Sequence, residues 1–600
     1  MQIKLKRRSL IGFSVIIVIY FIYLRATRSN REAKNVDSDL FISLDGENNN
    51  NQKSRFRDWN DYKLTEEEKT RNGFGEHGAA AILTNSSEID LNEKLYHETG
   101  FSVVVSNKIS VNRSLDSVVH SNCSNVKYYA TLPNVSVIII FHNEVLSVLL
   151  RTIHSVINRT PAELLHEVIL VNDYSTNAEL YDPLKKYLLE NFPPKVKIKN
   201  LEKRSGLIVT RMEGARSASG EVLVFFDSHI EVQNNWLPPL LQPIVDDRKI
   251  STLPIIDYLD PFTFEYLPGQ SNFQGSRGVI DWYLDFQELP KLPNDQMNDL
   301  KPYPNPIMLG AAFAIDRKFF IDELGGYDEG LQIWNGENYE LSFKLWMCAN
   351  RILTVPCSRV AHYFRQINPS RVSKDDYVAR NFMRIAEVWL DEYKTLPKQL
   401  EPKRYENVDP GDLTIPKAVK KRLNCKPFRW FLNNIAPDMI ERFPPLADPP
   451  KFASGAIQSV ANPRLCIDNM GKLNDEKIGL DECSHDMLNP SLNQNFIYSF
   501  LKDIRQDHGR HEFCLDSYEL RLTGCNNLSF GNQFWIYDKD SKEIIMNTST
   551  KKCLTIILVN DSLTLDECNN EMTQKWNFAY VNETAYEYFN DIFGYRSILS

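Results

Sequence analysis

Three things are missing from this 600-residue sequence, and each absence narrows what the protein is. No long basic stripe lies outside the extreme N-terminus, and the formal net charge is -9. Nucleic acid is therefore excluded as an expected partner. There is no polar excess either: 42% of residues are hydrophobic and 24% charged, which rules out wholesale disorder. Finally, no small-x-small cleavage site follows the apolar run from Ser9 to Leu24, which ends Ile-Tyr-Leu-Arg-Ala-Thr-Arg. The run is read as a retained membrane anchor. As a helix it reaches about 24 Å at 1.5 Å per residue, enough for a thin early-secretory bilayer.

Basic residues flank the run on both sides: Lys4, Lys6, Arg7 and Arg8 before it, Arg25, Arg28 and Arg31 after. The positive-inside rule thus orients it weakly. The rest of the chain speaks more clearly. Asn-x-Ser/Thr sequons stand at Asn85, Asn112, Asn122, Asn134, Asn158, Asn527, Asn547, Asn560 and Asn582, a density that suits a lumen. The ten cysteines are even in number, as an oxidising compartment favours. The expected arrangement is type II. Residues 1–8 form a cytoplasmic tail, 9–24 the anchor, and everything beyond is lumenal.

A chain of this length exceeds one hydrophobic core, so two or more folded units are expected. Residues 25–118 are polar and lack sustained periodicity, and read as a stem. At Val135 the texture changes. Val135 to Phe141 is a continuous β-branched run, the mark of a strand buried on both faces. A helix over Val145–Ile157, strands at Glu167–Val171 and Val196–Lys199, a helix over Leu207–Ala218 and a strand at Val222–Phe226 follow. This alternation predicts an open α/β sheet, whose ligands bind at the carboxyl ends of strands, where Asp173 and Asp227 fall. The catalytic unit is expected to span 119–441. A Pro-rich linker over 442–454 then leads to an internal repeat of about forty residues over 455–580. Cys466, Cys514 and Cys553 open the three units, Cys483, Cys525 and Cys568 follow, and Gln494, Gln533 and Gln574 each precede an aromatic by two. Three all-β units with one local disulfide each predict a pseudo-threefold barrel, with 581–600 as a tail.

Asp227-Ser228-His229 is the feature of chemical interest. A carboxylate and an imidazole two residues apart, on the turn leaving a strand, can converge on one divalent ion. An ordinary strand-end Asp capping a turn beside a surface His is the simpler reading of the tripeptide alone. Asp173 is a similar case, between ligand contact and helix capping. Trp334-Asn335-Gly336-Glu337 precedes an expected helix over Glu340–Ala349. It pairs an aromatic platform with a carboxylate, as carbohydrate sites do, but also fits an acidic helix N-terminus. His362 is either structural or a third metal ligand, with Arg365 placed for phosphate.

These residues sit among ordered motifs: Phe141-His-Asn-Glu144, Leu150-Arg-Thr152, Ile169-Leu-Val-Asn-Asp-Tyr-Ser175, Phe226-Asp-Ser-His229, Phe313-Ala-Ile-Asp316, Tyr327-Asp-Glu-Gly330, Ile333-Trp-Asn-Gly-Glu-Asn338, Cys357-Ser-Arg-Val-Ala-His362 and Ile385-Ala-Glu-Val-Trp-Leu-Asp-Glu-Tyr393. From about Cys123 to residue 580 the chain resembles the polypeptide N-acetylgalactosaminyltransferases. The resemblance implies a GT-A catalytic domain (α/β, mixed sheet) followed by a ricin-type β-trefoil. It implies Mn2+ as cofactor, UDP-GalNAc as donor, Ser/Thr-containing proteins or glycopeptides as acceptors, retention at the anomeric carbon, and a Golgi membrane location. By position, Asp227, His229 and His362 would bind the metal. Asp173, Arg204, Ser228, Trp334 and Arg365 would line the donor. Glu337, Asp227 and Trp334 would carry catalysis, and Trp282 and Phe364 would shape the acceptor groove. Cys123–Cys357 and Cys348–Cys425 would be the catalytic-domain disulfides. Asp468 with Asn493, and Asp516 with Asn532, would hold sugar hydroxyls in the first two trefoil repeats; the third has Thr555 instead.

The chain also departs from the family pattern. Leu309-Gly310-Ala311 replaces Ala-Gly-Gly, adding a methyl where backbone approaches the sugar. Asn335 replaces a glycine, and Asn172 replaces the first Asp of Val-Asp-Asp. In the lid, Ser370 stands where a tyrosine is expected, which bears on closure and water exclusion. The stacking aromatics of the trefoil are replaced by Asp481, Thr523 and Asp566, which favours a structural trefoil. Two rivals follow: a weak or inactive relative that binds glycopeptides, and a transferase with a different UDP-sugar.

Overall fold

A computed structural model of the chain describes residues 55–268, 275–296, 300–349, 351–365, 376–445, 451–472, 476–507, 512–525, 531–546 and 552–585. The expected tail and anchor, residues 1–24, the lid residue Ser370, and most of the expected tail over 581–600 lie outside them. Among the described residues no helix is long and apolar enough to cross a membrane.

The catalytic unit is built on a ten-stranded mixed sheet. In chain order its strands are β1 (Val135–Phe141), β2 (Leu165–Asn172), β3 (Val196–Asn200), β4 (Val222–Asp227) and β5 (Ile230–Val232). They continue as β6 (Ile250–Leu259), β7 (Tyr266–Leu267), β8 (Tyr303–Pro304), β9 (Ala312–Asp316) and β10 (Arg351–Tyr363). The main path runs β8-β10-β6-β9-β4-β1-β2-β3, with β5 paired to β10 and β7 to β6. Strands β4, β1, β2 and β3 are mutually parallel, β9 is antiparallel to β4 and β6, and β10 is parallel to β6.

Helices cover both faces: α4 (Leu146–Arg159), α5 (Asp182–Asn191) and α7 (Leu237–Asp246) on one, α6 (Leu207–Ser217), α8 (Glu337–Cys348) and α9 (Tyr377–Trp389) on the other. The pleat of β1 explains the two cores, because successive side chains face opposite ways. Ile138 and Ile140 join the core with Phe225, Phe313 and α8; Val137, Ile139 and Phe141 join the core with Phe226, Trp236 and α4. Both sets being apolar is what makes the run continuous in sequence.

The stem boundary requires correction. Residues 55–118 are not a spacer but part of the catalytic unit. Phe56–Arg57 pairs with Tyr128–Tyr129, and α1 (Tyr62–Lys69), α2 (Ser86–Thr99) and α3 (Val103–Lys108) follow. Trp59, Phe101, Val105, Ile109 and Leu115 are buried. Arg113 meets Glu231 through two hydrogen bonds of 2.9 and 2.7 Å, and Arg159 on α4 meets Glu68 on α1. Buried charges need such partners, and the partners here are distant in sequence, so composition alone looks solvated.

The trefoil extends slightly beyond its expected bounds. Its first strand, Ala453–Ser459, pairs with the last, Trp576–Val581. Gln494, Gln533 and Gln574 occupy equivalent positions, donating to the carbonyls of Glu482, Gly524 and Glu567. Trp535 and Trp576 donate likewise to the Leu515 and Leu554 carbonyls, both at 2.8 Å. The disulfides are Cys123–Cys357, Cys348–Cys425, Cys466–Cys483, Cys514–Cys525 and Cys553–Cys568, each as expected.

Candidate functional site

Sheet register builds the centre of the site. Asp227 ends β4, and the chain turns through Ser228-His229 into β5. β5 pairs with β10 so that Ile230 faces His362, and the Tyr363 N–H donates to the His229 carbonyl at 3.2 Å. Thr152 on α4 clamps the turn from beneath: its hydroxyl lies 3.0 and 2.9 Å from the Ser228 and Ile230 carbonyls and accepts from the Ile230 N–H at 3.0 Å. Asp227, His229 and His362 thereby offer ligand atoms all within 4.8 Å of one another.

The residues present fit a divalent cation. Both ring nitrogens of His362 are buried without a hydrogen-bond partner; Nε2 sits 3.3 Å from Asp227 Oδ2, outside hydrogen-bond geometry. Such orphaned nitrogens are costly unless something fills the gap between them and the carboxylate. His229 Nδ1 lies 2.7 Å from Glu144 Oε2, which fixes the ring and leaves Nε2 for a ligand, the usual arrangement behind a metal-bound histidine. Burial raises the Asp227 pKa, but His362, Arg211 and His229 outweigh it and hold the carboxyl down at about 2. Burial pushes the His362 pKa down against the pull of Asp227, which favours the neutral ring that a ligand needs. Burial of Glu144 is likewise outweighed by Arg365, His229 and Ser228, which hold it well below the usual carboxylate range.

These groups line one cleft of about 290 Å3 together with Asp173, Arg204, Ser228, Trp334, Glu337, Phe364 and Arg365. Asp173 follows β2, and its carboxylate accepts from Arg204, from Ser205 N–H at 2.7 Å and from Gly206 N–H at 2.8 Å. Asp173 therefore anchors Arg204 and its loop at the cleft edge. Asn172 is satisfied structurally, donating to Asn200 at 3.0 Å and capping Ser175 N–H at 3.0 Å. The Ser228 hydroxyl is committed to Glu144 at 2.8 Å.

The opposite wall is made from unusual backbone. Ile333, Asn335 and Gly336 all have positive φ, at 51°, 75° and 91°. Asparagine tolerates the left-handed region best after glycine, which accounts for Asn335 where the family has glycine. Asn381 on α9 ties the loop down, donating to the carbonyls of Gln332, Trp334 and Asn335 and accepting from Gln332 N–H at 2.8 Å. Asn338, with its amide nitrogen facing Glu337, donates to Oε1 at 3.0 Å and accepts from Gly310 N–H at 3.3 Å. A Cβ on Gly310 would lie 2.0 Å from the Asn338 side chain, so only glycine permits this approach. Glu337 is buried, its Oε2 has no partner, and burial raises its pKa against the opposing pull of Arg211.

Three residues without an assigned role in sequence prove central. Glu144 carries His229. Arg211, buried on α6, joins the walls: Nη2 donates to Asp227 Oδ1 at 3.1 Å and to the Gly310 carbonyl at 2.5 Å, while Nη1 lies 3.8 Å from Glu337 Oε1. Asn381 braces the Trp334 loop. The Phe-His-Asn-Glu motif was the available signal for Glu144; a lone Arg on an apolar helix face was the only one for Arg211.

Phe364 stands at the cleft mouth, stacked on Tyr258 with centroids 5.8 Å apart, and borders a second cavity of about 320 Å3 that also shares Leu309. Trp282 is a correction. It is 3% exposed, stacks on Tyr393 at 5.4 Å and donates to the Phe443 carbonyl, so it belongs to the core instead of a groove wall. In the trefoil, Asp468 is also a correction. It is buried, and its two carboxylate oxygens accept from Met470 N–H and Gln494 Nε2, so it holds the turn and the glutamine in place. Asn493 and Asp516 are half-buried and Asn532 is exposed.

The family model described as glycosyl transferase family 2 matches residues 136–324, and that of the ricin-type beta-trefoil lectin domain matches residues 453–576. The chain is 44% identical over 550 residues to N-acetylgalactosaminyltransferase 4 of Drosophila melanogaster, covering 90% of this chain and 84% of that protein. It is 40% identical over 546 residues to polypeptide N-acetylgalactosaminyltransferase 10 of Homo sapiens, covering 89% and 88%. Among solved structures it is similar to GalNAc-T7 with UDP, GalNAc and Mn2+, with a TM-score of 0.60 and 34% identity over 85% of this chain and 93% of that one.

Proposed function

The chain belongs to the polypeptide N-acetylgalactosaminyltransferases, and from that premise we propose that it transfers GalNAc from UDP-GalNAc to Ser and Thr hydroxyls of proteins, initiating mucin-type O-glycosylation. The observation that carries this reading is the convergence of Asp227, His229 and His362, the last with both ring nitrogens orphaned, on a cleft whose far wall presents Trp334 and Glu337. Asp227, His229 and His362 would hold Mn2+, which when bound neutralises charge on the departing diphosphate. Arg365 supplies N–H donors to the same phosphates, and Arg204, held by Asp173, lines the donor at the cleft edge. The bond between the anomeric carbon and the UDP oxygen breaks, and the acceptor oxygen bonds to that carbon from the same face. The acceptor proton passes to a phosphate oxygen, so configuration is retained without a covalent enzyme intermediate. Trp334 offers a face to the sugar ring, and the unpaired Glu337 Oε2 accepts from a sugar hydroxyl. Phe364 and the second cavity receive the acceptor chain.

The protein is further read as a single-pass type II component of the Golgi membrane, supported by the Ser9–Leu24 run and the sequons beyond it. The trefoil is read as chiefly structural, because Asp468 serves the fold. Ala311 favours one alternative, a different UDP-sugar, since it lines the cleft where a smaller residue is usual. A radiolabelled UDP-sugar panel with Ser/Thr peptides and Mn2+ tests both. Transfer with UDP-GalNAc is expected. Neither transfer nor hydrolysis with any donor, in protein that still binds UDP, would leave only the binding-protein reading.

A further inference from the structure

The segment that reads as a spacer in sequence reaches the back of the phosphate side through one ring. Gly100, with φ of 75°, ends α2 in the left-handed conformation, and the chain reverses before α3. Ser102 fixes this corner: its N–H donates to the Pro261 carbonyl at 3.0 Å and its hydroxyl accepts from Asn92 at 2.9 Å. Phe101, held between them, is completely buried. Its ring meets three parts of the site. The Arg365 guanidinium lies over its face, 5.0 Å from the centroid. His229 packs on it at 6.0 Å and Tyr363 at 5.6 Å, both edge to face.

We propose that Phe101 is a positioning residue for donor binding, its ring face holding the Arg365 guanidinium, and its edge contacts the His229 ring, where the diphosphate is received. Among the described residues Arg365 has two supports, Phe101 and the Glu144 carboxylate 3.7 Å away. They act differently. A carboxylate attracts the guanidinium but also occupies its donors and cancels its charge. An aromatic face attracts the cation through its quadrupole while leaving the N–H donors for an anion. An aliphatic side chain of similar volume would fill the space without the attraction.

The inference rests on the reading of Arg365 as a phosphate contact, and the test separates the two. Phenylalanines carrying one, two and three ring fluorines are placed at position 101, beside Phe101→Leu, in the full-length chain with and without Arg365→Gln. UDP affinity is measured by calorimetry with and without Mn2+, and thermal melting is followed on the same samples. Affinity is expected to step down with each fluorine, by roughly 2- to 30-fold across the series, while melting shows that every variant remains folded. Phe101→Leu should raise the donor KM more than the acceptor KM. In the Arg365→Gln background the fluorine series should be flat. A flat series with Arg365 present, or an equal slope without it, overturns the proposal. If Arg365→Gln itself leaves UDP affinity unchanged, the phosphate reading of Arg365 fails and takes the proposal with it.

Discussion

The two walls of the cleft solve the same problem in opposite ways. On the metal and phosphate wall, each buried carboxylate faces an opposite charge or a hydrogen-bond donor. Glu144 takes His229, Ser228 and Arg365, Asp173 takes Arg204, and Asp227 takes Arg211. On the sugar wall, left-handed backbone holds Trp334, and Glu337 keeps one buried oxygen unpaired. The first wall is preorganised for anions before any arrives. The second retains unsatisfied hydrogen-bonding capacity that a sugar hydroxyl would meet, and Arg211 couples the two. Charge-bearing positions should therefore show large functional effects, and sugar-facing positions should trade stability against fit.

The largest effect is expected on the first wall. Asp227→Asn should lower transfer by about 10³-fold or more and abolish the Mn2+ dependence of UDP binding. Initial rates and calorimetry check this; a variant that keeps Mn2+-dependent UDP binding would remove Asp227 from the metal site. Crossing to the second wall, Glu337→Gln should lower transfer by about 10²-fold yet make the folded protein more stable at neutral pH. The sign follows from the raised pKa of Glu337. Its contribution is full below the unfolded-state value and is lost as pH rises through the raised folded-state value, where a buried anion must form. The stability difference between variant and parent should accordingly widen from acid to neutral pH in thermal melts. A constant difference would mean that folding leaves the Glu337 pKa unshifted.

How much of this was legible in the sequence follows from which interactions are local. β1 and β4 are apolar on both faces, and Asp227 falls where β4 stops, so sheet and strand-end ligand could be read directly. The His229–His362 pairing depends on the register of β5 against β10, so the residues alone left His362 between a structural and a ligand role, and the family resemblance favoured the ligand. Residues 55–118 were unreadable because their buried residues, Trp59, Phe101 and Arg113 among them, lie among polar neighbours and are matched by partners far along the chain. Trp282 and Asp468 misled for a related reason. An aromatic in a groove and one in a core look alike in sequence, as do an Asp that holds a sugar and one that holds a turn.

Glu144→Gln probes the wiring of the first wall one step from the ligands. Losing the carboxylate removes the charge partner of His229 Nδ1 and Arg365 together. Mn2+ affinity should fall about 10- to 100-fold, the range typical of residues that orient a metal-bound histidine. The protein should remain folded, because glutamine still accepts from Ser228. Unchanged Mn2+ affinity would mean that the His229 ring is held by packing against Phe101 and His362 and does not need its hydrogen bond.

The smallest effect is expected where the second wall departs from its relatives. Ala311 presents a methyl to the cleft beside Gly310, whose own backbone lies against Asn338. Ala311→Gly removes that methyl, and two opposing consequences follow. The unfolded chain gains freedom, so stability should drop by about 0.5–1 kcal/mol, read as a small fall in melting temperature. The sugar gains room, so the donor KM for UDP-GalNAc should fall by roughly tenfold or less, within the range of one carbon in a binding pocket. Mn2+ affinity should not move, because the Asp227 N–H bonds the backbone carbonyl of Ala311, which glycine retains. If Ala311→Gly instead shifts preference toward another UDP-sugar in the donor panel, the methyl is a selector of donor and not merely an obstruction. The two walls would then divide the work differently, with the first accepting any UDP-sugar and the second choosing among them.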